Sequence, residues 1–208
     1  MALDNFANLK QTIIRYTGRD DLSNVVEDFI TIAESKIYAN EAKPLRIRQM
    51  EANTTLVMST SSRELALPTD YLEARRVQVA VDQYTYRLDY QAPMAMKIIS
   101  CAGVPRNYTI TSAVEFDRTP DQAYSVTFDY YARPAALSSL NPTNAVLTNY
   151  PQIYLHGALW QVYQFSGEED KSQQHYSIFL GSIASANGEA TRGRYGPGMR
   201  AVIRGSTP

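Results

Sequence analysis

The chain has 208 residues, 44% of them hydrophobic, and its 20 Lys and Arg against 21 Asp and Glu leave a net charge of −1. That is enough apolar material for a buried core, and too little net charge for a general attraction to nucleic acid or anionic membrane. The lone Cys101 excludes an internal disulfide, and with no secretory h-region or membrane-spanning run the sequence predicts folding in a reducing cytoplasm.

The amino-terminal part reads as helical. Phe6, Leu9, Ile13 and Tyr16 form one apolar stripe that stops at Gly18. Asp20, Asp21 and Ser23 then offer caps for a longer helix carrying Val26, Phe29, Ile30, Ala33 and Ile37, with Pro44 marking its end. From about Ala52 the period changes to alternation, with β-branched and Thr-rich runs at 54–58, 76–81 and 84–88. One short helix fits 93–100, and extended structure returns at 106–111 after Gly103 and Pro105. The next expectation is a hairpin. Its first strand is 114–117, its loop passes Thr119, Pro120 and Asp121, and its second strand alternates Tyr124, Val126, Phe128 and Tyr130 with Ser125, Thr127 and Asp129.

From Pro134 to Gly167 the chain contains no Asp, Glu, Lys or Arg. Within that run Pro151 suits the first turn of a helix, and from there to Phe165 apolar and aromatic residues occupy most of the circumference. Gln152, His156, Gln161 and Gln164 interrupt it, and it is too short to span a bilayer, so protein must cover it. The sequence assigns that cover to an assembly. Ser166 and Glu169 have capping-box spacing, which starts a second helix with Tyr176, Phe179, Leu180 and Ile183 on one stripe and makes the pair an antiparallel hairpin. Capping also accounts for the carboxylates of Glu168, Glu169 and Asp170. Beyond Asn187 come five of the ten glycines, with Arg192, Arg194, Arg200 and Arg204 against Glu189 alone. Tyr195, Met199, Val202 and Ile203 make this stretch too apolar for a linker, and it reads as an arm that orders on a partner.

The chemistry-bearing residue types form no catalytic pattern. The two histidines, His156 and His175, read as helix-face residues on opposing helices, with the ring nitrogens of His156 hydrogen-bonded in a polar seam, and with one cysteine no zinc spacing exists. Asp117 and Asp121 bracket a turn, where aspartates bond local N–H groups instead of forming an acid–base pair. The segment 193–198 lacks the strand and helix that aim a phosphate loop. The reading is of a non-enzyme with no metal and no cofactor.

The fold class is α+β, in four parts. Residues 1–50 are amino-terminal helices of a helical body, 51–134 an inserted antiparallel β-rich region, 135–187 a carboxy-terminal helical hairpin completing the body, and 188–208 an extended arm. Several motifs then stand in a characteristic order. They are Leu67-Pro68-Thr69-Asp70-Tyr71-Leu72-Glu73, the strand ending Asp129-Tyr130-Tyr131-Ala132-Arg133-Pro134 with Leu137-Ser138, the Tyr150-Pro151 helix carrying Gly157-Ala158-Leu159, and the Gly167-Glu168-Glu169-Asp170 turn. Over about residues 5–186 this set resembles the head-to-tail adaptor (connector, or head-completion protein) of tailed bacteriophages, of podovirus type.

The resemblance implies a structural virion protein with no substrate. Similar proteins form a ring, usually of twelve copies, that docks below the portal of the filled head, extends the DNA ejection channel and gives the tail nozzle or fibres an attachment platform. It implies the portal protein, nozzle or fibre proteins and further copies of the chain as partners, transient proximity to packaged double-stranded DNA, and no membrane. The expected location is the head–tail neck, with the host cytoplasm during assembly. Portal contact falls to the arm by position, through Arg192, Arg194, Tyr195, Met199, Arg200, Val202, Ile203 and Arg204. Ring and hairpin packing falls to Tyr150, Pro151, Leu155, Leu159, Trp160, Tyr163, Tyr176 and Phe179. The alternative is a nucleic-acid-binding protein that uses the Arg/Gly/Tyr tail, since arginines between glycines and aromatics can track a backbone and stack on bases.

Overall fold

The computed structural model describes residues 3–39 and 43–195. The fold is α+β, and the chain divides into two compact units, one of residues 1–49 and 134–208, the other of residues 50–133.

The first unit is helical. Helix α1 (Phe6–Thr17) is capped at its start by the Asn5 side chain, which accepts from the Asn8 N–H at 2.9 Å. Gly18 ends it at φ 64°, a conformation that costs glycine least, and its N–H returns to the Ile14 carbonyl. Phe6, Leu9 and Ile13 are buried as their spacing dictates, whereas Tyr16 is exposed. Ser23 does not cap the next helix. A 3-10 turn at Asp20–Leu22 intervenes, and α2 (Val26–Tyr38) starts from Val25 without a side-chain cap. Helix α3 (Ala145–Asn149) is capped by Asn144, whose Oδ1 accepts from the Leu147 N–H at 2.9 Å.

Helix α4 (Pro151–Phe165) begins with proline at its first position, and its buried residues Ile153, Tyr154, Leu155, Gly157, Ala158, Leu159, Val162 and Tyr163 take in most of its circumference. Its cover is intramolecular: α1, α2, α3 and the long α5 (Glu169–Tyr195) all pack on it. The expectation that an assembly must cover this helix is corrected accordingly. Ser166 terminates α4 and does not start α5. The Glu168 N–H bonds the Tyr163 carbonyl and the Gly167 N–H that of Gln164, with Gly167 at φ 74°, which together make a Schellman turn. Helix α5 also runs beyond Asn187, where the sequence placed the start of an arm. The reason is packing: Ala186 and Ala190 are buried, and the Asn187 side chain ties the preceding segment by accepting from the Arg46 N–H (2.8 Å) and donating to the Pro44 carbonyl (3.0 Å).

The second unit holds two four-stranded sheets. One has the order β1 (Glu51–Val57), β8 (Ser125–Ala132), β3 (Tyr71–Val81), β4 (Tyr84–Arg87), antiparallel throughout. The other has the order β2 (Glu64–Leu65), β7 (Val114–Phe116), β6 (Asn107–Ile110), β5 (Asp89–Tyr90), with β5 and β6 parallel. The alternation along β8 is realised, with Val126, Phe128 and Tyr130 buried. Together with Val77, Val79, Tyr108, Val114 and Phe116 they form one core to which both sheets contribute.

The predicted hairpin of β7 with β8 does not form, because the two strands lie in different sheets. What holds the end of β7 is Asp117, whose buried carboxylate accepts from the Arg106 N–H and from Asn107 Nδ2, each at 3.1 Å. The chain after it crosses over to the first sheet instead of folding back. The short helix expected at 93–100 is a 3-10 turn at Pro93–Ala95.

Candidate functional site

The motif around Leu67–Glu73 builds a corner of the β unit. The Tyr71 N–H closes a turn on the Pro68 carbonyl, and Asp70 then meets the far end of β8 twice, its carbonyl accepting from the Arg133 N–H and its carboxylate from the Tyr130 hydroxyl at 2.9 Å. Desolvation first, and then the Asp70 carboxylate, holds the Tyr130 phenol above its usual pKa. The corner is a clamp between strands β3 and β8.

The helical unit carries its own polar centre. Tyr154, fully buried on α4, donates its hydroxyl to Glu34 Oε1 of α2 at 2.6 Å and accepts from Asn144 Nδ2 at 2.8 Å. Burial, reinforced by Tyr38 and Glu34, drives that phenol far above its ordinary pKa, so it remains a donor. Three elements are thereby fixed to one hydroxyl, which local periodicity could not signal, because Glu34 stands 120 positions from Tyr154 along the chain. Close approach fixes the same region from the apolar side. A Cβ on Gly157 would stand 3.1 Å from Phe179 Cε2 and 3.2 Å from Ala33 Cβ, so glycine lets α2, α4 and α5 converge.

His156 and His175 do face each other across α4 and α5. Their Nδ1 atoms are 2.9 Å apart, so one ring donates and the other accepts, and the rings stack at 5.1 Å. The ring of Tyr163 stacks on His175 at 5.3 Å, with Lys171 Nζ on Tyr163 at 5.2 Å. Burial lowers both imidazole pKa values, and His156 lowers that of His175 further. Among the described residues no group of three or more His, Cys, Asp or Glu side chains converges to hold a metal.

The predicted packing residues separate into two sets. Leu155, Leu159, Tyr163 and Phe179 are buried within the helical unit. Tyr150 and Pro151 are half-buried where α3 meets α4, with the Tyr150 hydroxyl on Glu189 at 3.0 Å. Trp160 and Tyr176 are half-buried with ring centroids 4.5 Å apart, and they line a groove of about 350 Å³ between α4 and α5 with Gln164, Ser172 and Gln173. Phe165 stands exposed beside it in sequence, resting on Phe29 at 5.5 Å. Of the predicted arm residues, Arg192 is an exposed member of α5, and the backbone of Arg194 and Tyr195 forms the end of that helix. Met199, Arg200, Val202, Ile203 and Arg204 lie outside the described residues.

A surface that the sequence reading passed over lies in the β unit. Tyr84, Tyr86, Tyr90, Met94 and Ile98 are all exposed within one short stretch of chain. Beside it, Val81, Tyr86, Leu88, Val104 and Pro105 line a cleft of about 260 Å³ whose charged residues are Arg87, Arg106 and Asp89. Among the exposed side chains the Tyr84 and Tyr86 rings are neighbours, with centroids 6.4 Å apart. The tyrosine alternation at 84 and 86 was the available signal, but alternation cannot say that the core-facing side goes uncovered.

The candidate site is thus a set of exposed and half-buried apolar surfaces, on a fold held by buried tyrosine hydrogen bonds. No helix among the described residues is long and apolar enough to cross a membrane. No curated protein matches the chain. The sequence profile of the SU10 adaptor protein family matches residues 4–202, running through both units, and the chain therefore belongs to that family and is a bacteriophage structural adaptor, a component of the virion.

Proposed function

We propose that the chain is the tail adaptor of a bacteriophage neck, closing into a ring below the portal of the filled head, extending the DNA channel and giving the nozzle or fibres their seat. The observation that carries this reading is the family match across residues 4–202, which reaches into the arm as well as both units. The exposed groove at Trp160 and Tyr176, with Phe165 nearby, supports neighbour contact through the helical unit. Portal contact is assigned to the segment from Arg192 onward, whose arginines suit portal carboxylates and whose Tyr195, Met199, Val202 and Ile203 suit apolar grooves. Assembly is coupled to docking: the portal ring supplies equivalent sites and a high local concentration, so neighbour contacts form where the head needs them.

The test is mass photometry of the purified chain, alone and with portal rings from the same phage. Full-length protein is compared with a chain ended after Tyr195, a boundary that leaves α5 whole. The full chain is expected to join the portal as a closed ring while the shortened one stays apart. Association by neither would refute the portal reading, and salt-sensitive binding of DNA by the full chain alone would favour the nucleic-acid alternative.

A further inference from the structure

The first sheet of the β unit has two open edges, β1 and β4, and among the described residues no strand lies beyond either. Proteins usually protect such edges with proline, lysine or a covering segment. Neither β1 (Glu51-Ala52-Asn53-Thr54-Thr55-Leu56-Val57) nor β4 (Tyr84-Thr85-Tyr86-Arg87) contains proline or lysine. Their outer ends are apolar and open, with Val57 at 61%, Tyr84 at 68% and Tyr86 at 47% exposure.

We infer that β4 of one copy pairs antiparallel with β1 of the next, so that the sheet continues from subunit to subunit. This rests on the ring reading above and adds to it the surface through which neighbours join. Strand direction supports it. The four strands alternate in direction, so β4 runs opposite to β1, and a neighbour in the same orientation presents β1 to β4 antiparallel, head to tail.

The hydrogen-bonding groups also match. The Leu88 N–H donates to the Val77 carbonyl, and in this register Tyr86 and Tyr84 turn their main chain to β3, leaving Thr85 and Arg87 facing outward. The Met58 N–H donates to the Tyr124 carbonyl, which directs Leu56 and Thr54 at β8 and leaves Thr55 and Asn53 facing outward. Placing Thr85 opposite Thr55 and Arg87 opposite Asn53 satisfies all four.

The same register keeps the faces of the sheet continuous. Tyr84 and Tyr86 stand opposite Val81 and Val79 and so share the core face, yet both remain exposed. In the joined sheet Tyr84 meets Leu56 and Tyr86 meets Thr54, which share that face opposite Val126 and Phe128. Charge selects the mixed seam. Arg87 comes diagonal to Glu51, which already pairs with Arg75 at 2.6 Å and would be shared between them, whereas β4 against β4 would bring two Arg87 side chains onto one face with no acid on either strand.

Disulfide trapping tests this in the full chain with Cys101→Ser, which removes the exposed native thiol. Thr85→Cys and Thr55→Cys are both solvent-facing changes, and opposed residues that exchange main-chain hydrogen bonds have Cα atoms about 5.5 Å apart, a separation a disulfide can span. Mixed chains, assembled with portal rings under mild oxidation, are expected to give a covalent dimer holding one of each, and neither variant alone is expected to do so. Thr85→Pro removes only an outward N–H, so it should fold as wild type yet lose ring closure. Rings that form without the mixed cross-link, homodimers of Thr85→Cys, or rings of Thr85→Pro at wild-type yield would overturn the sheet contact while leaving the ring reading intact. Absence of any ring from the wild-type chain would overturn both.

Discussion

Two glycines of the helical unit predict opposite responses to one substitution. A Cβ added at Gly157 would meet Phe179 at 3.1 Å and 3.2 Å and Ala33 Cβ at 3.2 Å, and both neighbours are wholly enclosed. At Gly181, in the exposed face of α5, the same atom would meet nothing within 4 Å. Each change gains about 1 kcal/mol of helix propensity. At Gly157 this is opposed by overpacking of about 1–3 kcal/mol, because Ala33 can move only with its helix and Phe179 has no free space to enter. Gly181→Ala should therefore stabilise by about 1 kcal/mol and Gly157→Ala should destabilise by about the same, a separation of about 2 kcal/mol. The assay is urea unfolding followed by fluorescence. Trp160 is the only tryptophan and sits on α4, so its signal reports the helical unit. Equal stabilisation by both variants would refute the close convergence of α2 and α5 on α4.

Tyr154→Phe removes the donor to Glu34 and the acceptor of Asn144 together, and should cost about 1–3 kcal/mol in the same unfolding assay, with Tyr150→Phe at the half-exposed Glu189 contact costing less. Because the folded-state pKa values of His156 and His175 are lowered, the unfolded chain binds protons more readily. Their contribution is thus complete above about pH 6.5 and is lost as pH falls toward the lowered values; the urea midpoint should drop between about pH 7 and 5, less steeply in a His156→Gln, His175→Gln variant. A chain ended at Asn187 should be about 1–2 kcal/mol less stable than one ended after Tyr195, since it loses buried Ala190 and the Tyr150–Glu189 hydrogen bond. Equal midpoints for the two truncations would show that the last two turns of α5 add nothing to the unit.

What the sequence made legible was set by local periodicity. The α1 stripe, the proline start of α4 and the alternation along β8 each depend on residues only a few positions apart, and each appears in the fold. Pairing depends on distant residues and was misread. The segments at 114 and 124 look like a hairpin because both alternate and a turn lies between, yet the buried Asp117 carboxylate anchors the first to β6 and the chain changes sheet. The cover of α4 was misassigned for a related reason: an apolar circumference demands neighbours without saying whose, and four helices of the same chain provide them. Gly188 and the glycines after it suggested that the helical part would end at Asn187, but the buried alanines of α5 and the Asn187 contacts outweigh the cost of Gly188.

The order of the units along the chain has a consequence for synthesis. Helices α1 and α2 leave the ribosome first, but the helix on which they pack begins at Pro151, after the whole β unit has been made. At ordinary elongation rates that interval is on the order of 5–20 s, during which Phe6, Leu9, Ile13, Phe29 and Ile30 have no α4 to close over them. The β unit closes sooner, since its last strand, β8, pairs with β1, Glu51 opposite Tyr131, and is made before α4 begins. Translation thus finishes the middle of the protein before its beginning, and the nascent amino terminus is the stretch on which a ribosome-bound chaperone would act.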